Sequence, residues 1–179
     1  MIFWDTETTG LLRPQAVDVG LQPFITELYC VKVDAEFNFI DEIDTFLKPP
    51  VPITEEITKI TGIDDAMVRN APSFIQIYDK LCDFFLGERI LIAHNNSFDT
   101  WVLKGELERH ELEFQFPYPC RQICTVEASF PIENKRLTLG KLHEIATGRP
   151  LETSHRAKDD TFALIRCAQW LWEKGLIND

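Results

Sequence analysis

Two carboxylates, Asp5 and Glu7, stand two residues apart in the segment Asp5-Thr6-Glu7-Thr8-Thr9-Gly10. The apolar residues before them read as a short strand over residues 1–6. Strand side chains alternate between faces, so Asp5 and Glu7 share one face at the strand's end. Carboxylates held side by side repel, and burying either is costly unless a cation lies between them. An all-oxygen site of this kind suits hard divalent ions such as Mg²⁺ and Mn²⁺. A solvated strand end would hold the same pair without metal, and these two residues alone leave both readings open.

Two later segments carry further candidates. His94-Asn95-Asn96-Ser97-Phe98-Asp99 follows directly on the apolar run Arg89-Ile90-Leu91-Ile92-Ala93. Asp99 falls in the first turn of the helix expected next, where an Asp is also an ordinary cap or dipole partner. Phe98 can anchor that turn while Asp99 faces a crevice at the strand ends, where open α/β sheets bind ligands. The segment His155-Arg156-Ala157-Lys158-Asp159-Asp160 leads into a final amphipathic helix. His155 precedes Asp160 by five residues, about 140° around a helix, so it belongs on the loop before that helix. There it can approach a substrate bound beside Asp160; a plain surface histidine is the alternative.

The elements that must position these groups follow from apolar periodicity and turn residues. Residues 25–33 and 36–47 read as an antiparallel hairpin turning near Asp34-Ala35-Glu36. Residues 10–23, with Gly10, Pro14, Gly20 and Pro23, read as a loop. Thr54 can cap a short helix over 55–60 that stops at Gly62. Helices are expected over 72–86, 97–110, 137–147 and 158–175, with a short buried strand over 89–93 between the first two. In the last helix Phe162, Ile165, Ala168, Gln169 and Trp172 recur at helical steps. Early strands followed by alternating helix and strand imply a mixed α/β sheet.

Composition narrows the class. At 179 residues and 45% apolar content the chain suits one domain, residues 1–179, with its own core. No apolar run approaches a bilayer's width and no leader pattern is visible, so a cytoplasmic protein without membrane contact is expected. Five cysteines, an odd number in mostly apolar segments, fit reduced core thiols. Cys120 and Cys124 lack the second pair that a zinc site needs. The formal net charge of −11 argues against a basic nucleic-acid-coating surface. The charge is uneven, however: residues 1–120 hold 9 Lys+Arg against 21 Asp+Glu, while residues 121–158 hold 7 against 4.

Taken together, residues 5–10, residues 94–99, and His155, Ala157 and Asp160 resemble the three ordered motifs of the DEDDh (DnaQ-like) 3′→5′ exonucleases. Ile25-Thr26-Glu27-Leu28 and Ile60-Thr61-Gly62-Ile63 are lesser echoes. Cys124-Thr125 and Thr61 depart from the family's usual Asp-Thr and His. The resemblance implies an α/β ribonuclease H-like fold, a five-stranded mixed sheet flanked by helices. It implies two divalent ions, Mg²⁺ or Mn²⁺, with Asp5 bridging both. Glu7 and Asp160 would complete the site that activates water, Asp99 would serve the other ion partly through water, and His155 would take the water's proton as general base. The backbone at Thr8 and Thr9 and the side chain of Leu11 or Leu12 would cradle the terminal nucleotide and Phe98 would support its sugar, while Arg156 and Lys158 are either phosphate contacts or plain surface. The expected substrate is the 3′ end of single-stranded DNA, with RNA as the alternative, the product is a 5′-mononucleotide, and a polymerase could act as partner in trans. A non-catalytic binding module on the same fold would need lost ligands, and all four carboxylates and the histidine are present. The His155 spacing argues against a ribonuclease H-type endonuclease.

Overall fold

The computed structural model describes residues 1–14, 17–151 and 156–177. Three strands come first: β1 (Ile2–Thr8), β2 (Ile25–Val33) and β3 (Phe39–Phe46). Helices α1 (Glu55–Thr61), α2 (Asp65–Val68) and α3 (Phe74–Phe85) lead to strand β4 (Ile90–Ala93) and helix α4 (Asn96–Glu108). Strand β5 (Arg121–Cys124) and helices α5 (Thr125–Glu133), α6 (Leu139–Thr147) and α7 (Ala157–Glu173) complete the chain. The sheet order is β3-β2-β1-β4-β5. β2 pairs antiparallel with β1 and β3, while β1, β4 and β5 run parallel. This is the five-stranded mixed sheet flanked by helices that the motifs imply.

Alternation along β1 sorts the core into two halves. Ile2 and Trp4, with Leu28, Cys30 and Leu91, pack against α3 and α4. Phe3, with Tyr29, Val31 and Ile92, packs against α6 and α7. Continued past Trp4, the same alternation sends Asp5 and Glu7 toward α7 and Thr6 toward α4. The register then shifts between Glu7 and Thr8, an irregularity of the kind that re-aims side chains beside active sites.

Several boundaries differ from expectation. β3 starts at Phe39 rather than residue 36 because Phe37 has a positive φ of 63° and Asp34 Oδ1 accepts from the amides of Glu36 (2.9 Å) and Asn38 (2.8 Å), closing a wider turn. Ser73 caps α3 through a reciprocal bond with Gln76, and Thr138 caps α6 by accepting from Lys141 N at 3.2 Å. Helices α2 and α5 and strand β5 have no counterpart in the sequence reading. Strand β5 is only four residues with one buried side chain, and Pro131 sits inside α5.

The buried stripe of α7 is also rotated from the expected one. It consists of Ala157, Thr161, Ala163, Leu164, Cys167, Ala168 and Leu171. Of the five residues expected there, only Ala168 is fully buried. Small side chains let this helix lie close to the sheet, and the large rings move to its flanks: Phe162 meets Tyr29 with centroids 5.9 Å apart, and Trp172 meets Phe37 at 5.6 Å. All five cysteines are free, two of them buried. No helix among the described residues is long and apolar enough to cross a membrane.

Candidate active site

Asp5, Glu7 and Asp160 converge at the end of β1, each offering an oxygen within 4.8 Å of the others. β1 contributes two because they lie on its α7 face, and α7 contributes Asp160 from its first turn. Asp99 arrives from the other side. It is 2% exposed, and its Oδ1 accepts from Thr6 N at 3.0 Å and Thr6 Oγ1 at 2.7 Å. Thr6 points to α4 by the alternation that turns its neighbours to α7, so one strand end collects both helices.

Burial and mutual repulsion raise these acids. Asp5 is pushed well above the usual carboxylate range, first by burial and then by Asp99, Glu7, Asp160 and Glu27. Glu7 is pushed up to about 8, again first by burial and then by Asp160, Glu27 and Asp99, with Arg156 pulling the other way. Asp99 rises to about 7 through burial, which the bonds from Thr6 only partly offset. A half-buried, oxygen-only cluster that resists its own ionisation is the donor set a hard divalent ion fits.

Residues 2–168 match the RNase_T family, described as exonuclease. The chain belongs to this exonuclease family. The exonuclease is 31% identical over 162 residues to a DNA polymerase III PolC-type of Streptococcus pneumoniae, a match covering 90% of the exonuclease chain and 10% of the polymerase. To the PolC-type polymerase of Caldanaerobacter subterraneus it is 34% identical over 108 residues, covering 60% and 7%. It therefore spans a tenth or less of the length of these polymerases. Among solved structures, the nuclease domain of 3′hExo, a DEDDh family member bound to rAMP, aligns with a TM-score of 0.80 at 17% identity, covering 99% of the exonuclease and 95% of that chain. Exonuclease X in complex with 5′ overhanging duplex DNA aligns with a TM-score of 0.69 at 21% identity, covering 99% and 93%. The fold is the ribonuclease H-like fold of these exonuclease structures.

The exonuclease's other expected site residues divide. His155 lies outside the described residues. Leu11 is 82% exposed, whereas Leu12 and Phe98 are partly buried against the core on the α4 side. Thr8 Oγ1 donates to Gly10 O at 2.7 Å. Thr9 is tied to the loop's end: its amide donates to Phe24 O at 2.9 Å and its Oγ1 accepts from Phe24 N at 3.0 Å. Arg156 departs from expectation. Its Nε lies 3.0 and 3.1 Å from the two oxygens of Glu27, and its Nη2 bonds Glu27 as well. This guanidinium is held by a carboxylate rather than presented to phosphate. Lys158 is similarly paired, with Asp44 at 2.9 Å and Glu42 at 3.2 Å.

Glu27 is the residue that sequence reasoning passed over. It is 1% exposed, stands opposite Glu7 in the β1–β2 register, and also accepts from Ala157 N at 3.0 Å. It thus fastens the start of α7 to the sheet, which places Asp160. The only signal for it was its place in Ile25-Thr26-Glu27-Leu28. The residues before Asp99 are structural too. His94 Nδ1 lies 2.9 Å from Thr125 Oγ1; burial, helped by Arg136 and opposed by a bond with the Leu137 backbone, lowers this imidazole to about 4, so it stays neutral. Asn95 takes the left-handed conformation (φ 66°) and accepts from Arg136 Nη2 at 2.8 Å. Asn96 accepts from Trp4 Nε1 at 3.2 Å and donates to Gln122 at 2.9 Å. Thr125, which follows Cys124, is fully buried and holds His94.

Proposed function

We propose that residues 1–179 act as one metal-dependent domain that removes 5′-mononucleotides from the 3′ end of single-stranded DNA. The observation that carries this is the convergence of Asp5, Glu7 and Asp160 within 4.8 Å beside the buried Asp99. In this reading Asp5, Glu7, Asp99 and Asp160 would hold two divalent ions, Mg²⁺ or Mn²⁺. Such ions, when bound, neutralise the phosphodiester and make water more acidic.

The chain's own residues do the rest. The raised acids would ionise fully only against bound cations, so the cluster would meet a phosphate only as a cation-neutralised site. A ring nitrogen of His155 accepts the proton of the attacking water, a task suited to an imidazole near neutral pH. Glu27 holds Arg156 and Ala157 in place, which fixes the start of α7 and so the position of Asp160 in its first turn. Leu11 and Leu12, just after β1, and Phe98, before Asp99, flank the terminal nucleotide.

The likeness to PolC-type polymerases favours DNA over RNA, a cytoplasmic setting, and a polymerase as partner. The test uses matched DNA and RNA strands, each labelled at the 5′ end, with Mg²⁺ or Mn²⁺. A descending ladder is expected, faster on DNA. Immediate release of a labelled mononucleotide would overturn the polarity, discrete internal cuts would indicate an endonuclease, and binding without cleavage would indicate a binding module.

A further inference from the structure

Thr6 stands between Asp5 and Glu7 on β1 and is buried. The β1–β4 ladder covers only Ile2 and Phe3, and β4 ends at Ala93. Past that point the β4 side of β1 has no strand beside it, and Asp99 of α4 takes the open place. Thr6 N donates to Asp99 Oδ1 at 3.0 Å, and Thr6 Oγ1 donates to the same atom at 2.7 Å. The main chain and the side chain of one residue thus converge on one oxygen.

That convergence limits what Asp99 can do. A carboxylate oxygen has two lone-pair sites, and both of those on Oδ1 are taken. No side chain among the described residues donates to Oδ2, which is the oxygen left for a cation. Asp99 also falls outside the group of Asp5, Glu7 and Asp160 whose oxygens lie within 4.8 Å of one another, so it would reach an ion from the far side and through one atom. The number of oxygens on offer decides which hard cation a site suits. Mg²⁺ wants near-octahedral order at about 2.0–2.1 Å and keeps several waters, whereas Ca²⁺ takes about 6–8 oxygens at about 2.3–2.6 Å and readily uses both oxygens of a carboxylate. A carboxylate held to one oxygen withholds the extra ligand that the larger ion uses.

We propose that Thr6 determines the ion specificity of this site: by filling Oδ1 of Asp99 it confines that carboxylate to one-oxygen ligation, which favours a small octahedral cation over Ca²⁺. The inference rests on the metal reading of the acidic cluster and adds to it a residue that chooses the ion without touching it. It also accounts for the residue type. A valine has the same shape and suits a strand equally well, but it brings only the amide; a serine brings both donors.

The experiment follows Mn²⁺ bound to the purified protein by electron paramagnetic resonance, with Mg²⁺ or Ca²⁺ added as competitor and no nucleic acid present. Parent, Thr6→Val and Thr6→Ser are compared, and thermal melts with a chelator establish that each is folded. In Thr6→Val, Mg²⁺ affinity should fall about 10–100-fold, as it does when a metal ligand loses an outer hydrogen-bond partner, while Ca²⁺ affinity holds, because the freed lone pair of Oδ1 becomes a further calcium ligand. Thr6→Ser should keep the parent's ratio of the two affinities. A Thr6→Val protein with the parental ratio, whether both affinities are unchanged or both fall alike, would overturn the inference and leave Thr6 as a plain support for Asp99. A Thr6→Ser protein that shifts as the valine variant does would overturn it too, since packing rather than the hydroxyl would then set the ratio. If the parent binds no Mn²⁺, the metal reading of the acidic cluster fails, and this inference falls with it.

Discussion

Replacing Glu7 with Gln should abolish hydrolysis and yet make the metal-free protein more stable at alkaline pH. The carboxyl of Glu7 is displaced from 4.5 to about 8, chiefly by burial and then by Asp160, Glu27 and Asp99. At about 1.4 kcal/mol per pH unit, that corresponds to roughly 5 kcal/mol of unfavourable ionisation. Asp5 and Asp99 are raised as well and share protons with it, so ~2–3 kcal/mol is a fair figure for Glu7 alone. The folded state binds the proton more tightly than the unfolded chain. Its contribution to stability is therefore complete below pH 4.5, falls as the pH climbs, and is gone by about pH 8. The Gln variant lacks this decline. For a domain of this size the difference amounts to roughly 5–10 °C in Tm at pH 8, shrinking toward pH 5. Thermal melts followed by circular dichroism with a chelator present, at both pH values, would measure it. Added Mn²⁺ should raise the parent's Tm more than the variant's, because binding to the folded state stabilises it. Equal melting of parent and variant at pH 8 would refute the repulsion argument, and with it the case for a cation-requiring cluster.

Asp5→Ala should eliminate metal-dependent hydrolysis while the far-ultraviolet spectrum stays that of the parent; parental turnover would remove Asp5 from the site. His155→Ala should lower kcat by about 10²–10⁴-fold with calorimetric Mn²⁺ binding retained. The parent's rate should fall with decreasing pH as the imidazole protonates, and a variant with parental turnover and the same acidic limb would exclude the residue as base. Glu27→Gln should leave Arg156 poorly paired and lower stability by about 1–3 kcal/mol, with a fall in kcat because the start of α7 loosens. A denaturant titration and single-turnover rates check both, and a destabilised variant with parental kcat would limit Glu27 to the fold.

Much of this arrangement was legible because β1 is short and strictly alternating. Asp5 and Glu7 on one face follow from the period of a strand, and the observed cluster adds only which helix meets them. The first-turn position of Asp99 followed from the apolar run before it, but its bond to Thr6 did not. That contact joins residues 93 apart in sequence, and no local pattern encodes it. The roles of Glu27 and Arg156 were hidden for the same reason, since their pairing spans 129 residues. Read singly, Arg156 looked like a phosphate ligand; only the sheet register, which sets Glu27 across from Glu7, reveals the carboxylate waiting for it. Strand β5 and helix α5 escaped because too few of their residues face the core for periodicity to register, and Pro131 obscured the latter. The stripe of α7 was misread around the large rings, where close approach to the sheet selects Ala157 and Ala163 alongside the expected Ala168.

The split of β1 between its two helices has a consequence for how the chain tolerates insertions and deletions. Phe3 and Trp4 fill opposite halves of the core, and Asp5 and Thr6 continue the same two rows. Adding or deleting one residue within Ile2–Thr6 exchanges the rows. The carboxylates would then face α4, a threonine would face Asp160, and each half of the core would receive the other's side chains. No frame-shifted packing of this strand could keep the interior while losing only the catalysis. Nuclease activity is thus a direct readout of strand register, and a screen for length variants in this segment should return enzymes that are either intact or unfolded, with no stable inactive class between them.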